Sequence, residues 1–401
     1  MRFTESPNAR SKSISTAEFD THGVLNRHAT KNTSYQVGVS EDKGNRRTME
    51  DSHSFVTDFD NVRGQGFFAV FDGHAGKHAA EWCGTHFHES LLRCLRACPD
   101  LPIPDILNET FHDVDRNLSR MCEESDGKIH SGCTAVTAFL RVEDADGKQS
   151  FLDQATPPSK PISPLAETPS PVDGYESSSG ESGGDATADD SKDPKRRKKS
   201  KKLGAKRLRN AIKSLGSGSS LSPKASPSVS RKQSIEVIQL QGPTQTPPPE
   251  AKRVFYTANA GDARGVLCRN GNAIRLTYDH KGSDKQEAKR IMDAGGFVMS
   301  GRVNGVLAVT RSLGDSSMKE FVVGAPYTTE TELCDDDEFV ILACDGLWDV
   351  ASDQVAVDLI REIDDAQLAS QKLLKYALSH HSSDNVTVLV VRFKNVSPKT
   401  A

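Results

Sequence analysis

A stretch of roughly 110 residues, rich in proline, serine, glycine and charge, separates two segments that carry the hydrophobic patterning of a folded protein. Residues 143–252 contain runs such as ETPSPVDGYESSSGESGG and GSGSSLSPKASPS. Apolar residues are too sparse there to offset the ~1–2 kcal/mol of backbone entropy lost by each ordered residue. The sequence therefore predicts a disordered insertion inside the folded part of the chain.

The insertion lies between two β-rich runs, TAVTAFLRV at 134–142 and RVFYT at 253–257. It therefore replaces a turn between two predicted strands, where a long excursion adds little loop-closure entropy. Without the insertion and the polar N-terminal tail, roughly 260 residues remain, which suits one domain. We predict a single interrupted domain over residues 34–394, with tails at 1–33 and 395–401.

Composition argues against several classes of protein. Hydrophobic residues make up 35% of the 401-residue chain, and apolar runs such as residues 339–344 are far shorter than the ~20 residues that cross a bilayer. The start, MRFTESPNARSKS, has no apolar segment of a secretion signal. The eight cysteines form no CxxC pair, which disfavours a zinc ribbon or a disulfide scaffold. We expect an intracellular protein without a transmembrane segment, located in the cytoplasm, the nucleus or both.

Hydrophobic periodicity divides the patterned segments into helices and strands. Apolar residues about 3.6 positions apart predict helices, and β-rich runs bounded by turn residues predict strands. The predicted helices cover residues 77–97, 104–124, 284–294, 353–363 and 366–379, and the further strands cover residues 66–71, 263–268, 273–277, 339–343 and 386–393. Asn270-Gly271 between two of these strands predicts a hairpin turn. We expect an α+β protein whose helix pairs cover β-sheets.

Acidic residues follow or precede apolar runs at several places. These positions are Glu50-Asp51, Asp72, Asp262, Asp345 and Asp384. Any one of them is explained by a turn, because Asp is depleted within strands and common in turns. Several carboxylates that meet at one sheet edge would repel each other unless cations neutralise them. Oxygen ligands alone select hard ions such as Mg²⁺ or Mn²⁺, although spacing along the chain does not establish that the acids converge.

Seven motifs occur in one order along the patterned segments. They are RRTMEDSH (46–53), FFAVFDGHAG (67–76), SGCTAV (131–136), NAGDARG (259–265), VNGVLAVTRSLGD (303–315), ILACDGLWDV (341–350) and SDNVTV (383–388). In these motifs the chain resembles the metal-dependent type 2C protein serine/threonine phosphatases, the PPM family. The resemblance covers residues 34–143 and 253–394. The resemblance extends to fungal members of this family, some of which act on stress-activated MAP kinase cascades.

The resemblance implies a fold of two antiparallel β-sheets in a sandwich, flanked by antiparallel helix pairs as four α-β-β-α layers. It implies two Mg²⁺ or Mn²⁺ ions, and the third, weaker ion of many family members, at one end of the sandwich. Asp72 resembles the carboxylate that bridges two ions, and Asp345 and Asp384 resemble the other direct ligands. The further implied ligands are Gly73 through its carbonyl, Glu50 and Asp51 through bound water, and Asp262 and Asp349 for the third ion.

Two further residues match catalytic positions of that family. Arg46 matches the arginine that grips the substrate phosphate, a role that suits the planar guanidinium. His74 resembles the general acid that protonates the leaving serine or threonine oxygen, although a histidine in this setting is more often a turn residue. The segment 304–315 resembles the flap beside the active-site channel. Cys133 stands where the family usually has Ser or Thr, and we expect it to serve packing.

The implied activity is the hydrolysis of phosphoserine and phosphothreonine in phosphoproteins by a metal-activated water, within kinase signalling. No cysteine has an arginine six residues downstream, so the thiolate phosphatase mechanism is disfavoured. The alternative is a catalytically inactive adaptor with the same fold. Such pseudophosphatases lose metal carboxylates, whereas all of the expected acids are present in this sequence.

A basic run, Lys195 to Lys213 (KRRKKSKKLGAKRLRNAIK), lies within the insertion. It is a solvated charge run, a nuclear import signal, or a contact for an anionic surface. Partners of three kinds are therefore expected: phosphoproteins, among them MAP kinase pathway components, an import factor, and an anionic nucleic acid or membrane. We expect the protein itself to be a monomer.

Overall fold

The computed structural model describes residues 10–11, 34–126, 128–153 and 244–393. These residues belong to one compact unit, formed by chain on both sides of residues 160–236. The basic run at 195–213, most of the predicted insertion and nearly all of the predicted tails lie outside the described residues.

The strands are β1 (Arg10–Ser11), β2 (Tyr35–Asp42), β3 (Ser52–Thr57), β4 (Gly66–His74), β5 (Gly132–Glu143), β6 (Lys252–Ala260), β7 (Arg264–Arg269), β8 (Asn272–Arg275), β9 (Val298–Met299), β10 (Arg302–Val303), β11 (Leu313–Gly314), β12 (Tyr327–Glu332), β13 (Asp337–Ala343) and β14 (Val386–Phe393). The helices are α1 (His78–Ala97), α2 (Ile103–Glu124), α3 (Ser150–Asp153), α4 (Lys285–Asp293), α5 (Asp345–Trp348), α6 (Asp353–Ile360) and α7 (Ala366–Ser379). Short 3₁₀ helices cover Phe59–Asn61 and Ser316–Met318.

Two antiparallel sheets pack face to face. The first has the order β1-β2-β14-β13-β7-β8, and the second has the order β12-β6-β5-β4-β3, with β11 added to β5. Their facing side chains form one hydrophobic core, in which Phe68 and Val136 of the second sheet belong to the same cluster as Leu342 of the first. The sandwich therefore confirms the predicted fold class.

Helices cover both outer faces of the sandwich. Phe67 and Phe71 of β4 pack with Phe87 of α1 and Phe111 of α2. On the opposite face, α5 to α7 pack on β13 and β14 through buried residues that include Ile341. Strand β4 is thus buried on both faces, which explains why it reads as a continuous apolar run rather than an alternating one.

The observed elements agree closely with the predicted ones, and the Asn270-Gly271 turn joins β7 to β8 with positive φ at both residues. Some residues at both margins of the predicted insertion are described: α3 follows β5, and Gln245 forms an isolated bridge with Val62 before β6. After β5, Asp144 accepts hydrogen bonds from the backbone N–H groups of Asp146 and Lys148 and from the Ser150 hydroxyl. These bonds stabilise a turn before α3.

Residues 284–312, here called the flap, contain α4, the β9–β10 hairpin and most of the 304–315 motif. Glu287, which is 4% exposed, joins the two ends of the flap. The Glu287 carboxylate accepts bonds from Arg311 Nη2 at 2.6 Å, Thr310 Oγ1 at 2.9 Å and Arg290 Nη2 at 3.1 Å. Burial opposes ionisation of Glu287, but the hydrogen bond and charge of Arg311 outweigh it and lower its pKa to about 2.

We expect Glu287→Ala to lower the free energy of unfolding by roughly 3 kcal/mol, the lower end for a broken buried pair, because it leaves the half-buried Arg311 and Arg290 without their counter-charge. The folded pKa of Glu287 lies below its ordinary value, so its stabilising contribution is present above about pH 4.5 and is lost as the pH falls towards 2. Urea denaturation at pH 7 measures the loss. Glu81→Ala, in an exposed pair with Lys77, is the control and should change stability by less than ~1 kcal/mol. Equal stability of the two variants would contradict this structural role of Glu287.

Candidate active site

The predicted acids meet at one end of the sandwich, around a pocket of about 450 Å³. The predicted site residues that line it are Arg46, Glu50, Asp72, Gly73, His74, Asp262, Asp345 and Asp384. Asp51 lies buried behind the pocket, where Thr387 Oγ1 donates to its Oδ2 at 2.8 Å. Asp349 is exposed at the rim and contacts Lys281. The structure thus brings the whole predicted set into one region.

Antiparallel pairing explains why residues so far apart in sequence meet. Asp72 lies near the end of β4, opposite Thr134 at the start of β5. Asp345 follows β13, and Asp384 precedes β14, which pairs with β13. Asp262 lies in the turn between β6 and β7. Each of these strands begins or ends at the same edge of the sandwich, so all four carboxylates are directed to that edge.

Burial raises the pKa of Asp72 well above its ordinary value, and the neighbouring charges of Asp51 and Asp345 raise it further. Burial likewise raises the pKa of Asp51 to about 7 and that of Asp345 to about 8. Asp51 Oδ1 is buried and has no hydrogen-bond partner among the described residues. A cluster of this kind keeps all of its carboxylates ionised at neutral pH only when cations are present, and its oxygen donors suit Mg²⁺ or Mn²⁺.

Two side-chain cations lie among these acids. Arg46 Nη2 donates to Asp384 Oδ2 at 2.5 Å, and Lys281 Nζ lies 3.3 Å from Asp262 Oδ2. Within the described part of the chain, no three or more His, Cys, Asp or Glu side chains already form a closed metal-binding group. The carboxylates surround the pocket instead of converging on one point, as repulsion between like charges would produce. Divalent ions would have to draw them closer.

Gly73 allows the loop before β3 to approach β4. A Cβ at Gly73 would overlap the Glu50 backbone and contact Ala80, so a side chain there would force the two segments apart. Asn385 fixes the same loop: its Oδ1 accepts from Glu50 N at 2.8 Å, and its Nδ2 donates to the carbonyl of Thr48 at 3.0 Å. The position of Glu50 beside Asp72 therefore depends on Gly73 and Asn385.

His74 lines the pocket, and a buried carboxylate holds its ring in place. Its Nε2 lies 2.7 Å from Asp315 Oδ2, and Asp315 is 7% exposed. Ser312 Oγ also donates to Asp315, and Asp115 on α2 accepts from Gly314 N at 2.9 Å. The imidazole is therefore fixed in one orientation at the pocket, as a proton donor requires.

The model of the protein phosphatase 2C family matches residues 35–145 and 196–386. The chain is 37% identical over 361 residues to protein phosphatase 2C homolog 1 of Saccharomyces cerevisiae, covering 89% of this chain and 93% of that protein. It is 34% identical to protein phosphatase 2C homolog 1 of Schizosaccharomyces pombe, covering 92% of this chain and 76% of that protein. This chain belongs to the protein phosphatase 2C family. It is a protein serine/threonine phosphatase, and nothing favours the alternative of an inactive adaptor.

The fold of this protein phosphatase 2C also has solved counterparts. The crystal structure of serine-threonine phosphatase 2C from Toxoplasma gondii matches it with a TM-score of 0.58 and 17% identity, covering 97% of this chain and 100% of that one. At this identity the likeness shows the fold. The family is generally dependent on Mg²⁺ or Mn²⁺, and its substrates are phosphoproteins. None of the helices in the described ranges is long and apolar enough to cross a membrane.

The flap of this phosphatase reaches the pocket in part, since Arg302 and Val309 belong to the pocket lining. Arg311, which the sequence placed in the flap motif, instead binds Glu287 and the carbonyl of Ala325. Asn304 is likewise occupied, because its Oδ1 accepts from Phe297 N at 3.1 Å. Both residues hold the flap together rather than line the pocket.

Sequence reasoning missed several residues that support the site. Asp315, Asn385 and Lys281 are partners of predicted site residues, but each pair is joined only by folding. Cys133 is fully buried with its Sγ 3.8 Å from that of Cys83, in agreement with a packing role. His280 is buried and its Nδ1 accepts a hydrogen bond from Gly261 N at 3.2 Å; burial lowers its pKa to about 4.

Proposed function

We propose that this phosphatase hydrolyses phosphoserine and phosphothreonine with two Mg²⁺ or Mn²⁺ ions, and a weaker third, held at the sandwich edge. The observation that carries the proposal is the gathering of Asp72, Asp345 and Asp384 around one polar pocket. The burial of Asp72 and Asp345, and the repulsion that the neighbouring acids exert on them, leave an excess of negative charge that divalent ions would neutralise.

The ions would be held by these residues in three ways. Asp72 would bridge two ions, Asp345 and Asp384 would bind directly, and the Gly73 carbonyl would complete the direct set. Glu50 and Asp51 would act through intervening water, and Asp262 and Asp349 would hold the third ion. Ions bound there would make water acidic enough to supply a hydroxide nucleophile and would offset charge on the phosphoryl oxygens.

The side chains of the protein would then position the substrate. Arg46 would bind two phosphate oxygens through its planar guanidinium. Its hydrogen bond to Asp384 would break and be replaced by these bonds to the phosphate. This exchange is feasible because the Arg46 side chain is 57% exposed, and exposed ion pairs are weak. His74 would donate a proton to the departing serine or threonine oxygen, with Asp315 holding the ring in place.

The dependence on the leaving group tests this function. With Mn²⁺ present, the wild-type protein should release phosphate from phosphoserine and phosphothreonine peptides and from p-nitrophenyl phosphate. His74→Gln should lower kcat for the peptides by ~10²–10⁴-fold and should lower kcat for p-nitrophenyl phosphate much less, because p-nitrophenolate leaves without a proton. His86→Gln, at an exposed position on α1, is the control.

An equal loss on both kinds of substrate would refute the role of His74. Failure of the wild-type protein to hydrolyse either phosphopeptide would refute the proposed reaction itself. Both assays use the full chain and measure released inorganic phosphate, so they compare the two substrates under one set of conditions.

We further propose that the substrates include components of a MAP kinase pathway, that the phosphatase is a monomer, and that it acts in the cytoplasm, the nucleus or both. The motif resemblance to fungal enzymes supports the first point. The density of positive charge from Lys195 to Lys213 supports binding to an import factor or an anionic surface. Nuclear accumulation that persists after Lys195 to Lys202 are neutralised would refute the import role.

A further inference from the structure

Lys281 projects into the acidic site from a fixed segment of backbone. The preceding residue, His280, is 1% exposed, donates its N–H to the Gly261 carbonyl at 2.8 Å, and accepts from Thr310 N at 3.0 Å. Lys281 itself forms an isolated β-bridge with Val309 of the flap. Its backbone is therefore held between the turn that carries Asp262 and the end of the flap.

The Lys281 ammonium lies between two acids of the site. Nζ is 3.3 Å from Asp262 Oδ2 and 3.5 Å from Asp349 Oδ1. The Asp262 side chain is only 7% exposed, whereas that of Asp349 is 63% exposed. A buried carboxylate without a counter-charge is strongly destabilising. Lys281 supplies the positive charge that stabilises the Asp262 carboxylate, which is largely shielded from solvent.

We propose that the Lys281 ammonium is the resident counterion of Asp262 and Asp349, and that a third divalent ion binds between these acids only by displacing it. The inference rests on the proposed function, which assigns the two acids to the third ion. An ammonium and a divalent cation that contacted the same two carboxylates would repel each other strongly. The ammonium and the third ion therefore compete for the same site between Asp262 and Asp349.

The competition favours lysine for two reasons. Lys281 is part of the chain and is already positioned, whereas a divalent ion must lose water that Mg²⁺ in particular releases reluctantly. Arg46 differs, since it contacts Asp384 from a side chain that is 57% exposed and is not enclosed between two acids. The ions at Asp72, Asp345 and Asp384 thus meet a weaker competitor, and the third ion should be the weakest of the three.

Titration calorimetry of the full chain with Mn²⁺ alone, with free Mn²⁺ counted by electron paramagnetic resonance, tests the proposal. The wild-type protein should bind two ions tightly and a third weakly. Lys281→Met should tighten the third ion by ~10-fold or more, because it removes a charge repulsion that persists even in water. Lys281→Arg keeps the charge and should leave the third ion weak. Lys289→Met, which removes a lysine from an exposed pair with Asp293, should change nothing.

A double variant tests whether the gain in affinity arises at the site between Asp262 and Asp349. Lys281→Met combined with Asp349→Asn should lose the gained affinity, because the third ion then lacks one of its two carboxylates. If Lys281→Met does not fold, Lys281→Gln removes the same charge and allows the same measurement. Melting curves with saturating Mn²⁺ establish that each variant is folded before ions are counted.

The possible outcomes distinguish a failure of this inference from a failure of the proposed function. Two tight ions in both proteins, with an unchanged third affinity in Lys281→Met, would overturn the inference and leave the proposed function standing. A third ion that is tightened equally by Lys281→Arg would also overturn it, because charge would not be the cause. A wild-type protein that binds no Mn²⁺ would overturn the proposed function and the inference with it.

Discussion

Chelation of divalent cations is expected to lower phosphopeptide hydrolysis by this phosphatase at least ~10³-fold, since bound metal contributes several kcal/mol to the stabilisation of the transition state. A thiolate mechanism would not sustain the reaction without the ions. Among the described residues that line the pocket there is no cysteine, and the sequence contains no Cys-x₅-Arg loop. Phosphate release should be measured in EDTA and again after excess Mn²⁺ is restored.

The same treatment should change stability in a manner that depends on pH. In the absence of cations the folded-state pKa values of Asp51 and Asp345 lie near 7 and 8, above the ordinary value of 3.8. The folded state then binds protons more tightly than the unfolded state, so stability falls as the pH rises from about 4 through 8. The melting temperature in EDTA should therefore be lower at pH 8 than at pH 6, and Mn²⁺ should raise it most at pH 8.

Two results would contradict this account of the site. One is activity in EDTA that stays within tenfold of the Mn²⁺ value, which would mean that the ions are dispensable for the reaction. The other is a melting temperature at pH 8 that does not respond to Mn²⁺. Chelation followed by addition of Ca²⁺ instead of Mn²⁺ is a useful control, because Ca²⁺ supplies charge but prefers longer bonds and more ligands.

Asp72→Asn is the substitution with the largest expected effect on activity. Asp72 lies near the end of β4, and Asp51 and Asp345 are the charges that raise its pKa most, after burial. The amide keeps the size of the side chain but removes the charge that would bridge two ions. We expect kcat to fall at least ~10³-fold even with excess Mn²⁺, by the same several kcal/mol of lost stabilisation.

The fold should survive this substitution. Without cations, a buried negative charge near other acids is a source of instability, so the metal-free Asp72→Asn protein should melt no lower than the metal-free wild-type protein at pH 8. Asp293→Asn, at an exposed acid on α4, is the matched control and should keep kcat within about twofold. A variant at Asp72 with near-normal kcat would reject the bridging role.

Much of the fold follows from local patterns. The apolar run of β4 and the 3.6-residue spacing of α1 and α2 predicted those elements, because backbone preference and burial act over a few neighbouring residues. The turn at Asn270-Gly271 was predictable for the same reason. The margins of the insertion were not, since the turn held by Asp144 depends on polar side-chain bonds that leave no hydrophobic pattern.

The residues of the site were predictable only in part. Acids at strand ends, and the motifs that contain them, indicated a metal-dependent phosphatase directly from the sequence. Their partners did not follow from it: Arg46 contacts Asp384 across 338 positions, and His74 contacts Asp315 across 241. Lys281 beside Asp262 is a third case.

The sequence by itself thus indicated most of the main elements, the family and the acids that the fold gathers at one edge, because these depend on residue type and short spacing. The tertiary structure alone decided which cation neutralises which acid and which carboxylates are buried. Electrostatic energy depends on distance and on exclusion of water. Both are set by the pairing of strands from distant parts of the chain.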